Sequence, residues 1–282
     1  MKIVVTGVNG QLGYDVVKEL VNRKYADVIG IDIKDLDITN ENAVKVFMNQ
    51  NKPDVIIHCA AYTAVDKAED NKETCYDVNV NGTKHLVEAA KKLGSKFVYI
   101  STDYVFSGDK DGEYLVEDKP NPKSVYGETK YLGEVETLKH NKHFILRISW
   151  VFGKNGNNFI KTMLRLGKEK EKLNIVSDQI GSPTYTHDLS KLIVDMIATD
   201  KFGIYQATNE GDCSWFEFAQ KIFEFSNIDI SLSPILTEQY PTKAKRPKNS
   251  VMSKKNLVDN GFELLPSWQD ALKRYLKEIE VI

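Results

Sequence analysis

The stretch Gly7-Val8-Asn9-Gly10-Gln11-Leu12-Gly13 constrains this chain most, because of what flanks it. Before it runs Lys2-Ile3-Val4-Val5-Thr6, short, apolar and β-branched, which reads as a buried strand. After it, Gln11–Arg23 carries apolar residues at helical spacing. Glycines three residues apart, between a strand and a helix, allow a tight turn and let a ligand approach backbone N–H groups at the helix N-terminus. That arrangement opens a βαβ unit, and it fits a pyrophosphate. Asp32 closes the next strand about 20 residues past the turn, where a carboxylate can bind ribose hydroxyls of a dinucleotide. Asp32 argues for NADH, since it would repel an additional phosphate, whereas Lys34 works the other way. Both NADH and NADPH are therefore expected cofactors.

The βα rhythm continues. Strands are expected at Lys2–Thr6, Asp27–Ile31, Asp54–His58, Lys96–Ser101 and Phe144–Ser149, and helices at Gln11–Arg23, Glu41–Gln50, Lys72–Leu93 and Ser124–His140. This pattern specifies an α/β fold with a Rossmann-type, doubly wound parallel sheet. Beyond Trp150, glycines and prolines interrupt the pattern, and further helices are expected at Asn158–Lys170, His187–Ala198, Trp215–Phe225 and Ser267–Glu280. The expected division is a dinucleotide-binding domain over 1–150, joined by part of 184–206, and a smaller C-terminal α/β domain over 151–282 that mainly binds substrate.

Composition narrows the function. Lys and Arg total 38 against 40 Asp and Glu, which argues against a dedicated nucleic-acid binder. The three cysteines, Cys59, Cys75 and Cys213, are unclustered and read as free thiols of a reducing compartment. The chain runs directly into a strand, and no apolar run approaches the ~18 residues of a membrane span. A cytoplasmic protein without a membrane partner is expected.

Tyr126 and Lys130 are four apart, so on a helix they share a face. A lysine ammonium beside a phenol favours the phenolate, which would make Tyr126 usable in proton transfer near neutral pH. Thr102, in Ser101-Thr102-Asp103-Tyr104-Val105-Phe106, supplies a hydroxyl to orient the phenol or polarise a carbonyl. His58 and Cys59 read as packed core. Asp37 reads equally as an adenine contact and as a helix-entry residue.

Together these segments resemble the extended short-chain dehydrogenase/reductases and, within them, the dTDP-4-dehydrorhamnose reductase family. The narrower resemblance rests on Gly10-Gln11-Leu12-Gly13, Ala60-Ala61-Tyr62-Thr63-Ala64-Val65-Asp66-Lys67-Ala68-Glu69, the Ser101–Phe106 run, Tyr126-Gly127-x-x-Lys130 and Arg147-Ile148-Ser149-Trp150-Val151-Phe152. Gly156-Asn157-Asn158-Phe159, Asp178-Gln179-x-Gly181-x-Pro183-Thr184 and Arg246-Pro247-x-Asn249-Ser250 extend it in order over nearly the whole chain. The resemblance implies reduction of dTDP-4-dehydro-6-deoxy-L-mannose to dTDP-L-rhamnose with NADPH or NADH. It places Gly7, Asn9, Gly10, Gln11, Leu12 and Gly13 at the pyrophosphate, and Asp32, Asp37, Ile38, Ala61, Tyr62 and Thr63 around the cofactor. Tyr126 is the implied proton donor, with Lys130 on the nicotinamide ribose. Thr102, Asp103 and Trp150 face the sugar. Read from the residues themselves, Asn158 neighbours the site, and Arg246 suits the diphosphate because a guanidinium fork matches phosphate oxygens.

Alternatives stay open at this level. Trp150 reads equally as an interface core residue, Asn158 also as a helix cap, and Arg246 also as a solvated cation. Asp15 and Asp188 read as solvated helix carboxylates, so no metal site is predicted. A monomer or a homodimer is expected. A 4,6-dehydratase would carry Glu after Asp103, where this chain has Tyr104. Another sugar-nucleotide reductase or epimerase remains a competing function, as does a non-catalytic NADP-binding regulatory subunit.

Overall fold

The computed structural model describes residues 1–25 and 27–282. Six strands make its main sheet: β1 (Lys2–Thr6), β2 (Asp27–Ile31), β3 (Val55–His58), β4 (Lys96–Thr102), β5 (His143–Ile148) and β6 (Gly203–Gln206). Their order is β6-β5-β4-β3-β1-β2, and each adjacent pair is parallel. The chain order reverses across β1 and β3, so a crevice opens at their carboxyl ends, the place where open α/β sheets bind ligands.

The strands are apolar on both sides because both faces are covered. Ile3, Val5, Val55, Ile57, Val98 and Phe144 enter one core, while Val4, Ile56, Phe97, Tyr99 and Ile145 enter the other. Helices α1 (Gln11–Asn22) and α6 (Thr186–Ile197) cover the first face through Leu12, Val16, Leu20, Leu189 and Ile193. Helices α2 (Glu41–Asn51) and α3 (Thr83–Leu93) cover the second through Val44, Met48, Leu86 and Ala90. A buried side chain of this kind contributes about 1.5–3 kcal/mol. A one-residue slip would exchange the two faces of a strand, so this alternation holds the register.

The helix expected over Lys72–Leu93 is three pieces: Lys72–Tyr76, a wide π turn over Asp77–Gly82, and α3. Within the π turn, Asn79 directs its amide away from the helix, and Thr83 Oγ1 donates to the Asn79 carbonyl at 2.7 Å. Helix α4 (Val125–Thr137) carries Tyr126 and Lys130, and Ser124 caps it by accepting from Gly127 N at 3.1 Å.

A second core joins α5 (Phe159–Glu169), α7 (Trp215–Phe225) and α8 (Trp268–Glu278), with Ile160, Phe218, Ile222, Leu272 and Tyr275 at its centre. Lys172–Val176 pairs in parallel with Ser231–Ile235 beside it, a pairing hidden in the sequence by polar residues and Pro234. Asp15 and Asp188 are not solvated; they are 1% and 3% exposed. The packing of α1, α6 and α8 encloses them. Asp188 accepts from both Arg274 terminal nitrogens at 2.6 and 2.7 Å, and Asp15 accepts from Thr186 Oγ1 at 2.5 Å.

Candidate active site

The glycine turn is built by close approach of two backbones. Gly7 has φ +69°, and a Cβ there would lie 2.7 Å from Ala60 N at the end of β3. A Cβ on Gly13 would lie 2.3 Å from the Gly7 carbonyl oxygen, so the first turn of α1 sits directly on the loop. Gly10 differs, since its Cβ would meet only Gly7 O at 3.2 Å and otherwise face open space. Asn9 N donates to Asp32 Oδ2 at 3.0 Å and Ile33 N to Asp32 Oδ1 at 2.8 Å, which holds the carboxylate beside the turn.

From this turn a cleft of about 860 Å³ runs along the carboxyl edge of the sheet. Gly7, Asn9, Gly10, Gln11, Leu12 and Gly13 line one end, with Asp32, Asp37, Ile38, Ala61, Tyr62 and Thr63 beside them. Thr102, Asp103, Tyr126, Lys130 and Trp150 line the other end. Asp37 lines the cleft while also accepting from Thr39 N and Oγ1 at 2.9 and 2.7 Å, so its place in the turn before α2 leaves it on the cleft wall.

Tyr126 and Lys130 do share a face of α4, but their electrostatics differ from the sequence expectation. Burial drives the Tyr126 phenol well above its usual pKa, and Thr102 opposes part of the rise. The same burial brings Lys130 down to about 7, against a smaller upward pull from Glu134. The spacing predicts that a cation depresses the phenol; the structure shows that desolvation of both groups outweighs it. The Lys130 ammonium lies 4.1 Å from the centre of the Tyr99 ring, and Tyr99 Oη donates to the Lys130 carbonyl at 3.1 Å. Thr102 spends its proton on Asp103 Oδ1 at 2.9 Å and accepts from Tyr104 N at 3.3 Å.

His58 is core, as expected. It meets Thr6 Oγ1 at 2.9 Å and Thr83 Oγ1 at 3.2 Å, and burial lowers its pKa to about 3. Trp150 occupies left-handed backbone at φ +49° and stacks on Trp215 with centroids 3.6 Å apart and planes 8° from parallel. Left-handed backbone costs an ordinary residue about 1–2 kcal/mol. The stacked indoles and the tight fit over Gly181, whose Cβ would be 2.7 Å from the Trp150 ring, hold it there. Trp150 is thus both packed against the second core and part of the cleft wall.

Two expected substrate residues lie outside the wall. Asn158 caps α5 through Lys161 N at 3.0 Å and donates to Gln11 Oε1, Gly153 O and Tyr275 Oη at 3.1, 3.0 and 3.0 Å. Its amide is consumed by tying α5 to the glycine turn. Arg246 donates to Tyr104 Oη at 2.9 Å and to Asp66 Oδ2 at 2.5 Å. It backs the cleft through Tyr104, whose ring meets Tyr126 edge-on with centroids 5.5 Å apart.

Sequence reading missed Tyr104, Asn79 and Asn155. Asn79 accepts from Tyr62 N at 2.8 Å and donates to Thr129 Oγ1 at 3.1 Å, which joins the Ala61–Thr63 loop to α4. An asparagine inside a long helical pattern was the available signal. Asn155 donates to Asn9 O at 2.7 Å across the cleft mouth.

The donors and spaces fit a dinucleotide. Gly10 leaves room at the helix N-terminus, Asp32 is held at the end of β2, and Lys130 is the one Lys or Arg lining the cleft among the described residues. Residues 1–281 match the family model described as RmlD substrate binding domain. A dTDP-4-dehydrorhamnose reductase of Aggregatibacter actinomycetemcomitans is 42% identical, with 96% of this chain and 97% of that one covered. The crystal structure of a dTDP-4-dehydrorhamnose reductase from Clostridium acetobutylicum superposes with a TM-score of 0.97 at 43% identity, over 99% of this chain and 100% of that one. That of the Bacillus anthracis enzyme, in complex with NADP, gives 0.96 at 46% identity over the same shares. This chain belongs to the dTDP-4-dehydrorhamnose reductase family.

Proposed function

We propose that the protein reduces the C4 keto group of dTDP-4-dehydro-6-deoxy-L-mannose to give dTDP-L-rhamnose, with NADH or NADPH as reductant. One observation carries the reading: a half-buried phenol, a buried amine and a buried hydroxyl stand together at one end of a cleft whose other end is a glycine turn with a carboxylate beside it. The nicotinamide, when bound, supplies the hydride. The turn residues Gly7, Asn9, Gly10, Gln11, Leu12 and Gly13 hold the pyrophosphate, Asp32 takes the ribose hydroxyls, and Asp37, Ile38, Ala61, Tyr62 and Thr63 enclose the remainder. Residues 1–150 with part of 184–206 form the dinucleotide-binding part, and 151–282 mainly bind the sugar nucleotide. The enzyme works in the cytoplasm, as a monomer or homodimer.

Tyr126 gives its phenolic proton to O4 of the sugar as negative charge develops there. Its raised pKa suits an acid that must stay protonated until that moment. Lys130, with a pKa of about 7, places positive charge beside the phenolate that forms. Trp150 packs against the sugar ring. The described arrangement supplies an acid and no Glu after Asp103, so carbonyl reduction is favoured over elimination.

Purified protein is expected to oxidise NADH or NADPH when given the dTDP-4-keto sugar, and NMR of the product is expected to show the rhamno configuration at C4. Tyr126→Phe is expected to lower kcat roughly 10²–10⁴-fold with cofactor affinity retained. No turnover with either cofactor, or an unchanged kcat in Tyr126→Phe, would defeat the reading.

A further inference from the structure

His58 closes β3 at 1% exposure and makes two hydrogen bonds, and its neighbours fix the direction of both. On one side, Thr83 Oγ1 gives its single proton to the Asn79 carbonyl at 2.7 Å. Towards His58 Nε2, at 3.2 Å, it can then only accept, so Nε2 carries the hydrogen. On the other side, Thr6 Oγ1 takes the Ala60 N–H at 3.1 Å and has its own proton left for His58 Nδ1 at 2.9 Å. Nδ1 is therefore the bare nitrogen, and the two sides agree on one tautomer. Burial keeps the ring neutral, and the Lys130 charge acts in the same sense. Both arms of this network end on one loop. The Thr6 arm ends on Ala60 N–H. The Thr83 arm reaches Asn79, whose amide accepts from Tyr62 N at 2.8 Å and donates to Tyr62 O at 3.2 Å. Ala60, Ala61 and Tyr62 line the cleft, and Ala60 is also where the Gly7 turn makes its close approach.

We propose that His58 is a positioning residue for cofactor binding: locked as the Nε2–H tautomer, it holds the Ala60–Tyr62 loop through Thr6 at one end and through Thr83 and Asn79 at the other. The proposal rests on the reading of the cleft as a dinucleotide site. His58 does not itself line the cleft, so it acts through the loop. The other tautomer would set Nδ1–H against the Thr6 proton and the Nε2 lone pair against the lone pairs of Thr83. The network thus has one arrangement, and the ring fixes the spacing between the end of β1, the end of β3 and the start of α3.

The first readout needs no substrate. Nitrogen NMR of the free protein, assigned against His58→Asn, is expected to show Nε2 of His58 as a protonated, pyrrole-type nitrogen and Nδ1 as a bare, pyridine-type one. The opposite tautomer, an averaged pair or an imidazolium would overturn the proposal. The second readout is a fluorescence titration with NADPH beside steady-state kinetics. His58→Leu is expected to raise Kd and KM for NADPH on the order of ten-fold, with kcat at saturating NADPH within about three-fold of wild type. His58→Asn, whose Oδ1 can take the Thr6 proton in place of Nδ1, is expected to recover part of that loss. Should the leucine variant not fold, Thr83→Val and Thr83→Ser carry the same comparison, because Thr83 also lies outside the cleft wall. Valine is expected to weaken NADPH binding roughly three-fold and to move the Nε2 resonance, and serine to do neither. Unchanged NADPH affinity in His58→Leu or Thr83→Val, or a loss of kcat alone, would overturn the proposal. A wild type that binds no NADPH would overturn it together with the dinucleotide reading. A wild type that binds NADPH but turns over no keto sugar would refute only the reaction assigned above, and the titration and the resonances would still decide the role of His58.

Discussion

Glu134→Ala tests how the site is held. Glu134 lies one turn after Lys130 on α4, and its carboxylate meets Arg147 of β5 in a bidentate pair, Nε to Oε1 at 2.9 Å and Nη2 to Oε2 at 2.8 Å. The pair is 2% and 1% exposed, so water screens it little. Ser101, next to Thr102, also donates to Glu134. Removing one partner of such a pair leaves a buried charge uncompensated, at about 3–5 kcal/mol. Arg147 would retain Val116 O at 3.2 Å and the Phe106 ring at 5.0 Å, which places the loss near the lower end, about 3 kcal/mol. At an m-value of about 3 kcal/mol/M, the urea midpoint would fall by about 1 M. A paired replacement, Glu134→Leu with Arg147→Met, should recover most of that, since no bare charge remains. The change also reaches Lys130, whose pKa Glu134 helps to raise. Without Glu134, Lys130 loses its proton at a pH below about 7, and the alkaline limb of the kcat profile should move to lower pH. A midpoint loss equivalent to less than about 1 kcal/mol, with an unmoved alkaline limb, would refute this account of Glu134.

Lys130→Met should abolish turnover and yet stabilise the fold at pH 6. Folded Lys130 gives up its proton near pH 7, whereas its ordinary value is 10.5. Between those values the unfolded chain binds more protons, so stability rises with pH across that window and the full cost of burying the cation is present below it. Urea melts of both proteins at pH 6 and pH 10 check this, and equal differences at the two values would contradict it. Gly181→Ala should push on the Trp150 indole from 2.7 Å, with an overpacking cost of about 1–3 kcal/mol. KM for the sugar is expected to rise more than kcat falls, and an unchanged KM would remove Trp150 from the sugar site.

Much of the architecture was readable because burial on two faces writes itself into a strand as a continuous apolar run. Strand β6 escaped that reading: Gly203-Ile204-Tyr205-Gln206 is short and ends polar, at the edge of the sheet beside β5. The wide turn at Asp77–Gly82 escaped too, since helical periodicity does not distinguish a helix that gives up one side chain to a distant loop. At the site, spacing revealed that Tyr126 and Lys130 share a face but not how dry that face is. The Lys130 ammonium is buried against the Tyr99 ring of β4, and desolvation outweighs the opposing pull of Glu134 on α4, of Cys59 after β3 and of Cys75 in Lys72–Tyr76.

Asn158 and Arg246, which lie outside the cleft wall, show where residue type stops being informative. Asn158 and Arg246 carry the groups a sugar nucleotide would want, and sequence alone does not show what already claims them. Asn158 is claimed by Gln11 and Tyr275, so it joins the second core to the glycine turn; Arg246 is claimed by Asp66 and Tyr104, so it sets the ring that abuts Tyr126. Asn155 and Ser250 act likewise, on Asn9 and Asp103. Each of these four links runs from beyond residue 150 to a group that lines the cleft in the first half. The second half of the chain therefore shapes the first half's turn, tyrosine environment and buried Asp103 carboxylate through polar side chains. Substitutions at Asn155, Asn158, Arg246 or Ser250 are expected to disturb catalysis through the residues they hold.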